Sequence, residues 1–244
     1  MKQSIFTVLE NLPLTETVWR MVLTGDTEAI TAAGQFVNVQ VDGLFLRRPI
    51  SVCDCVRDRL ALVYKVVGHG TEKMSRMKPG QKLDILTGLG NGYDLDAVGE
   101  KPLLIGGGVG VPPMFMAARK LREAGKPVTV ILGFNTAEEV FFEEEFRALG
   151  CEVKVTTVDG SRGIKGFVTD AMESGYTHFI TCGPEPMLKA VYKKSETSGQ
   201  FSFEERMGCG FGACMGCSCK TVTGYKRICK DGPVLRKEEI LWEK

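Results

Sequence analysis

The hydrophobic rhythm of the chain changes near residue 100, and this change restricts the possible folds more than any other feature. Before that point, turns separate short runs rich in β-branched and aromatic residues, at 4–8, 18–23, 35–41, 60–64 and 82–86. Closely spaced runs of this kind predict an antiparallel barrel or sandwich. We therefore expect residues 1–100 to form an antiparallel β-barrel.

Residues 101–198 instead alternate apolar strands with amphipathic stretches, a pattern that predicts a parallel sheet with helices on its faces. The expected strands cover residues 103–105, 128–132, 153–156 and 178–181. The expected helices run up to Ala124, over 136–149, near 168–173 and onward from Pro186. A polar linker is predicted at 195–200, and residues 199–244, called the cluster module below, form a third and smaller unit.

The overall composition narrows the partners and the compartment of the chain. Its 31 Lys and Arg balance 30 Asp and Glu, so no large field attracts nucleic acid or an anionic membrane. The most apolar stretch, residues 102–118, is interrupted by four glycines and three prolines, which argues against a membrane span. The N-terminus lacks the apolar segment of a secretory signal, and nine cysteines without such a signal favour a reducing, cytoplasmic location.

Four cysteines near the C-terminus have the spacing of a metal-cluster site. Cys209, Cys214, Cys217 and Cys229 are separated by four, two and eleven residues. This is the plant-type ferredoxin arrangement, in which four thiolates hold a [2Fe–2S] cluster. Neighbouring glycines let backbone N–H groups approach the sulfurs. Because the cluster module is too short and irregular to fold around its own apolar core, we predict that the cluster stabilises it.

A structural zinc site in a non-enzymatic interaction module is the alternative for these cysteines. Zinc sites favour Cys-x2-Cys pairs, and only Cys214 and Cys217 form one. Cys219 could replace a ligand, but the spacing is complete without it, so we interpret Cys219 as a free thiol. Three other cysteines are expected to be small core residues: Cys53, Cys55 and Cys151.

Two motifs in the predicted barrel suggest a nucleotide cofactor. The first, Arg48-Pro49-Ile50-Ser51, follows an apparent strand. The second is a strand, Val63-Tyr64-Lys65, that runs into a Gly70-Thr71 turn and a helix expected to reach Met77. A helix N-terminus of this kind offers free N–H groups and a positive dipole end to a phosphate. The alternative is that Thr71 only caps the helix.

Two loops of the α/β region suggest a dinucleotide site. Gly106-Gly107-Gly108-Val109-Gly110 follows a predicted strand and opens a helix, where glycines let the backbone approach a pyrophosphate. The spacing is not G-x-G-x-x-G, so a plain tight turn is the alternative. Cys182-Gly183-Pro184-Glu185-Pro186-Met187 follows the last predicted strand. We expect both loops at the carboxyl edge of the sheet, where ligands of such sheets bind.

In this order, the motifs resemble those of the ferredoxin–NADP reductase superfamily along nearly the whole chain. The resemblance implies FAD on the barrel, with Arg48 at its pyrophosphate and Ser51 at its isoalloxazine. Ile50 replaces the tyrosine of the family motif, so ring stacking is lost there. Cys182 would lie near the nicotinamide and flavin N5, with a core cysteine as the alternative. The implied cofactor-binding set is Arg48, Pro49, Ile50, Ser51, Val63, Tyr64, Lys65, Gly70, Thr71, Gly106, Gly107, Gly108, Gly110, Cys182, Gly183, Pro184 and Met187.

The cysteine-rich tail and the segment 133–146 resemble the electron-transfer subunits of dihydroorotate dehydrogenase B in particular. That resemblance implies electrons passing from an FMN-containing, dihydroorotate-oxidising partner through [2Fe–2S] and FAD to NAD⁺, in pyrimidine biosynthesis. It also implies a heterotetramer with two copies of each subunit. Related FAD and NAD(P)H modules serve sulfide, sulfite, hydrogenase or ferredoxin reductase complexes, and these remain alternative assignments.

Overall fold

The computed structural model describes residues 1–242, and the first part of the chain forms a closed barrel. Its strands are β1 (Lys2–Pro13), β2 (Val18–Thr24), β3 (Phe36–Val39), β4 (Arg48–Val56), β5 (Arg59–Lys65) and β6 (Lys82–Leu89). They pair antiparallel in the order β1-β2-β5-β4-β3-β6, which confirms the predicted antiparallel barrel. Alternate side chains point inward and are fully buried, as at Phe6, Met21, Leu62 and Ile85. Helix α1 (His69–Ser75) connects β5 to β6.

The second part contains the predicted parallel sheet. Its strands are β7 (Pro102–Gly107), β8 (Thr129–Phe134), β9 (Glu152–Thr157), β10 (Ile164–Lys165) and β11 (His178–Cys182). They are parallel in the order β10-β9-β8-β7-β11. The helices of this part are α2 (Pro112–Glu123), α3 (Glu143–Ala148) and α4 (Glu185–Lys194). The carboxyl ends of all five strands therefore share one edge.

Two predicted helices of this region were wrong in extent or type. The segment 136–149 is not one helix, because Phe142 has a φ of 67° and α3 begins only after it. That break buries the adjacent rings of Phe141 and Phe142, which a continuous helix would direct to different sides. The segment near 168–173 forms only a short 3-10 turn, Val168–Ala171, between the positive-φ residues Gly166 and Gly175.

The cluster module contributes to the large sheet. Strand β12 (Gly199–Ser202) pairs parallel with β11, and β15 (Val234–Arg236) pairs antiparallel with β12. The predicted linker at 195–200 was therefore wrong at its end, where Gln200 is a buried strand residue. Between these strands, β13 (Ser218–Thr221) and β14 (Gly224–Arg227) form a separate hairpin. The division of the chain after residues 100 and 198 stays a prediction.

The barrel and the sheet pack against each other. One hydrophobic cluster runs from the barrel interior into α2 and the adjacent face of the sheet. At this junction Arg119 of α2 pairs with Asp54 of β4, with 2.7 Å between Nη2 and Oδ1, and donates to the carbonyl oxygen of Cys55. A second cluster on the other side contains Phe36, Cys217 and Cys229, so the cluster module shares a core with both regions.

None of the helices within residues 1–242 has the length and apolar content needed to cross a membrane.

Candidate functional site

The two predicted dinucleotide loops meet at the carboxyl edge of the sheet. Gly106 lies opposite Cys182 in the register of β7 and β11. A Cβ on Gly110 would overlap the carbonyl of Cys182, and a Cβ on Gly107 would overlap the Met187 sulfur. These glycines therefore let the loops touch. The expectation that both loops share this edge is confirmed.

In the same two loops, Gly108 leaves its backbone accessible, whereas Gly183 and Pro184 pack against the neighbouring loop residues. Gly108 has a φ of 52°, and the space where its Cβ would stand is free, so its backbone is accessible from outside. Gly183 packs against the end of Met187, and the Pro184 ring lies 3.3 Å from the Cβ position of Gly107. This edge can thus receive an extended ligand along its backbone.

Cys182 ends β11 beneath this surface and is only 2% exposed. Burial raises the pKa of its thiol to about 12, and the carboxylate of Glu204 contributes to the increase. Cys182 is therefore a neutral thiol at physiological pH rather than a thiolate nucleophile.

Glu204 is a residue to which the sequence pattern gave no role. It follows β12 by two residues, so it lies at the same edge as Cys182. Its side chain is exposed, yet surrounding protein crowds the carboxyl group and raises its pKa above the ordinary value. Had β12 been predicted as a strand, its carboxyl end would have pointed to Glu204.

The motif Arg48-Pro49-Ile50-Ser51 follows β3 in the chain, as predicted, and forms the start of β4. All four residues are half-buried. In the register of β3 and β4, Ser51 lies opposite Phe36, and Pro49 lies opposite Asn38. The motif therefore forms one rim of the barrel.

Arg48 also meets the second barrel motif. Its guanidinium occupies the space next to Gly70 in the first turn of α1, where an added Cβ would overlap Nε. The hydroxyl of Thr71 accepts hydrogen bonds from the backbone N–H groups of Val67 and Gly68, at 3.0 and 3.3 Å. The structure thus brings a cation to this helix start, while the Thr71 side chain closes the turn.

The strand before this turn supports the helix. Val63 and Tyr64 are buried, whereas Lys65 is exposed. The Tyr64 hydroxyl donates to Asn11 Oδ1 at 2.9 Å, and the Asn11 amide donates to three carbonyl oxygens at the end of α1 and just beyond it. Tyr64 therefore positions α1 through Asn11, and its hydroxyl is engaged within the barrel.

The four cluster cysteines lie as two neighbouring pairs, Cys209 with Cys214 and Cys217 with Cys229. Burial alone would raise the pKa of Cys209, but N–H groups of the loop around Cys214 outweigh it and lower that pKa below the ordinary thiol value. Among residues 1–242, no three His, Cys, Asp or Glu side chains converge as ligands of one ion. Two thiol pairs fit a two-iron cluster, in which each iron takes two protein ligands.

The predicted core cysteines and the free thiol occupy separate places. Cys53 and Cys151 are buried as expected, and Cys55 is half-buried. Cys219 lies half-buried on β13, where it pairs with Lys226 of β14.

Polar side chains attach the cluster module to the barrel. Asn38 of β3 donates to the carbonyl oxygen of Cys209 at 3.2 Å. Asn91, just after β6, donates to the carbonyl oxygen of Val234 and accepts from its N–H, at 2.8 and 3.1 Å. Neither contact was predicted, because each joins residues more than a hundred positions apart in the sequence.

The residues present fit the three expected cofactors, a [2Fe–2S] cluster, FAD and a nicotinamide dinucleotide. The paired thiols are the soft ligands that iron–sulfur clusters require. Arg48 beside the start of α1 offers a charge and N–H donors to a pyrophosphate. The open backbone at Gly108 suits the phosphates of a dinucleotide.

Comparison with known families supports these assignments. Residues 204–241 match the iron–sulfur cluster binding domain of dihydroorotate dehydrogenase B, and residues 104–193 match the oxidoreductase NAD-binding domain. The first match favours the cluster over the zinc alternative. A solved structure of an NADH-dependent reduced ferredoxin–NADP oxidoreductase is similar, with a TM-score of 0.87 and 29% identity over 97% of this chain and 90% of that one.

Curated relatives extend over the full chain. The electron transfer subunit of dihydroorotate dehydrogenase B (NAD⁺) from Geobacillus sp. strain WCH70 is 43% identical, covering 99% of each chain. The corresponding subunit from Bacillus pumilus is 40% identical over 98% of each chain. With this identity along its whole length, and with the cysteine pairs and nucleotide loops in place, the chain belongs to the family of dihydroorotate dehydrogenase B electron-transfer subunits.

Proposed function

We propose that this chain carries electrons from a dihydroorotate-oxidising partner through a [2Fe–2S] cluster and FAD to NAD⁺. The main support for this proposal is the position of Asn38. Its side chain donates to the carbonyl oxygen of Cys209 in the cluster loop, and Asn38 lies opposite Pro49 of β4, the proposed flavin-binding strand. FAD supplies the conversion between single electrons of a cluster and the hydride of a nicotinamide. In the anaerobic holoprotein, NADH should bleach the flavin band and then generate the signal of the reduced cluster. A protein without visible absorbance would contradict the proposal.

The chain's own residues bind and orient the cofactors. Arg48 would meet the FAD pyrophosphate, and the loops at Gly108 and Gly183 would hold the dinucleotide. Cys182, neutral and buried at the junction of these loops, would lie beneath the nicotinamide and help to exclude water there. Glu204 at the same edge would exchange with solvent the proton that accompanies hydride transfer between nicotinamide and flavin.

The partner is an FMN-containing subunit, and we propose a heterotetramer with two copies of each subunit in the cytoplasm. The exposed residues of the cluster loop support docking of this partner at that loop. Cys214 is exposed, and its neighbours Phe211 and Met215 are 43% and 53% exposed. Apolar side chains around an exposed ligand suit a protein interface that also brings an electron donor close.

A ferredoxin–NADP reductase complex is the second candidate, favoured by the full-length similarity to the NADH-dependent reduced ferredoxin–NADP oxidoreductase. The two functions differ in the protein that delivers or receives electrons at the cluster. Purifying the chain anaerobically with its native partner distinguishes them, because one function requires an FMN subunit and the other requires a ferredoxin-dependent subunit.

Substituting Gly70 should test the proposed pyrophosphate site. Gly70→Ala places a methyl group where the Arg48 guanidinium lies, so the guanidinium must move. A hydrogen bond to a charged group contributes about 1.5–3 kcal/mol, so the Kd for FAD should rise about ten- to a hundredfold. FAD fluorescence released on dilution of the holoprotein measures this Kd.

Ser75→Ala is the matched control, since Ser75 lies at the other end of α1, where its hydroxyl donates to the carbonyl oxygen of Glu72. It should bind FAD as the wild type does. Equal FAD affinity in both variants would place the pyrophosphate elsewhere.

The loop after β8 predicts a preference for NAD(H) over NADP(H). Residues 133–139 contain no Lys or Arg but include Glu138 and Glu139. Arg162, from the loop after β9, is paired with Glu143 at 2.7 Å, so its charge is compensated. Juxtaposing like charges costs several kcal/mol, so kcat/KM with a dye acceptor should favour NADH by about tenfold or more.

Glu138→Lys should narrow this ratio. Glu139 is less suitable for substitution, because its carboxylate accepts two hydrogen bonds from Asn135, at 3.0 and 2.8 Å, whereas that of Glu138 accepts one, from Thr136. Glu100→Lys makes the same charge change just before β7, at the opposite edge of the sheet, and should leave the ratio unchanged. Equal efficiency of the wild type with NADPH would refute the preference.

A further inference from the structure

Asn38 lies buried beneath the cluster loop. It is 1% exposed, and its Nδ2 donates to the carbonyl oxygen of Cys209 at 3.2 Å. A reversed amide would set Oδ1 against that carbonyl, so this contact fixes which amide atom faces the loop. A Cβ on Gly210 would overlap Nδ2, so the loop rests directly on this side chain.

The strand that carries Asn38 also borders the proposed flavin site. Asn38 lies opposite Pro49, and Phe36 lies opposite Ser51. Directly opposed residues of antiparallel strands share a face, so Asn38 is on the same face as Pro49 and Ser51. Its neighbours Val37 and Val39 belong to the core cluster of the barrel instead. One side chain thus stands between the cluster loop and the rim formed by β4.

The second amide atom of Asn38 is unpaired within the part of the chain that the structure describes. Oδ1 is buried and has no hydrogen-bond partner among residues 1–242. Leaving a buried acceptor unsatisfied costs about 1–3 kcal/mol, which a donor from outside these residues would offset. The isoalloxazine ring of a flavin carries such an N–H donor.

We propose that Asn38 is a positioning residue that joins the two redox cofactors. Its Nδ2 holds the backbone of the cluster ligand Cys209, and its Oδ1 accepts a hydrogen bond from the flavin ring. The inference rests on the proposed binding of FAD along β4. With one rigid amide between them, the orientation of the flavin and the position of the cluster loop are set together.

Two substitutions separate the two halves of this amide. Asn38→Ala removes both contacts, whereas Asn38→Asp keeps acceptor oxygens and, once ionised, cannot donate to Cys209. Because burial raises the pKa of a carboxyl, the Asn38→Asp variant is measured at alkaline pH, where its carboxyl is ionised. A net hydrogen bond contributes about 0.5–1.5 kcal/mol, so Asn38→Ala should raise the Kd for FAD about two- to tenfold. Asn38→Asp should keep the wild-type Kd. Both variants should alter the electron paramagnetic resonance spectrum of the reduced cluster.

Asn91→Ala is the matched control, because Asn91 clamps the cluster module through Val234 and touches no cluster ligand residue. It should loosen the module without changing the Kd for FAD, which separates a specific role of Asn38 from general destabilisation. If Asn38→Ala does not fold, Asn38→Ser provides a second truncation that retains a polar atom.

The outcomes distinguish the proposed role of Asn38 from the proposed binding of FAD along β4, on which it rests. An unchanged Kd in Asn38→Ala would mean that water, not the flavin, satisfies Oδ1. An unchanged cluster spectrum in Asn38→Asp would overturn the link to Cys209. Arg48→Ala tests the placement alone: if it loses FAD while Asn38→Ala retains it, the placement stands and the role of Asn38 falls. If Arg48→Ala also retains FAD, the placement itself is wrong.

Discussion

Replacing Cys217 by Ser is expected to abolish the [2Fe–2S] absorbance and the paramagnetic signal of the reduced protein. Cys217 is 2% exposed, and its sulfur accepts the N–H of Cys229 at 3.4 Å. A serine oxygen is a hard ligand that binds iron–sulfur clusters poorly, and its hydroxyl would be buried in an apolar cluster. Iron and acid-labile sulfide, measured per chain after anaerobic purification, should fall to near zero.

Cys219→Ser is the matched control for this loss. Cys219 lies two residues from Cys217 but on β13, opposite Lys226 and outside the two thiol pairs. Iron content should therefore stay at the wild-type level. Loss of iron with Cys219→Ser and retention with Cys217→Ser would reverse the ligand assignment.

The local sequence pattern predicted those parts of the fold that rest on local periodicity. The barrel strands alternate buried and exposed residues, and the apolar strands of the α/β region run straight into glycine loops. Such patterns involve residues close together in the sequence, so they predict secondary structure without knowledge of distant contacts. The meeting of the loops at Gly110 and Cys182 followed from the parallel order of the strands.

The missed features depend on contacts between distant segments. Strand β12 is only four residues long and includes Gly199 and Gln200, a composition that reads as a linker until β11 and β15 flank it. Phe142 breaks a helical pattern because packing against Phe115, at 5.3 Å between ring centres, outweighs helix propensity. Glu204 lies at the site because it follows β12, and the sequence pattern did not predict that strand.

The same long-range contacts explain how three redox sites can be held in order without a large cluster module. Cys217 and Cys229 share a hydrophobic cluster with Phe36 of the barrel and Leu103 of the sheet. The cluster loop is fixed to β3 by Asn38, and the segment after it is fixed to the end of β6 by Asn91. The module is therefore anchored by its surroundings as well as by its iron ligands.

The purified chain alone should form no orotate from dihydroorotate, and adding the FMN subunit should restore turnover with NAD⁺. Oxidising dihydroorotate requires a base beside the carbon that loses a proton, next to a flavin that accepts the hydride. The motifs of this chain account for one FAD, one dinucleotide and one cluster, and none of these motifs supplies a second flavin site or a base for this reaction. We propose that the partner docks at the exposed rim formed by Phe211, Cys214 and Met215, close to the cluster. Anaerobic orotate formation, measured with FAD and NAD⁺ before and after addition of the FMN subunit, tests whether the chain acts as an electron relay. Appreciable turnover by the chain alone would refute the relay, whereas no gain on adding that subunit, with NADH-dependent dye reduction intact, would favour the ferredoxin–NADP reductase complex.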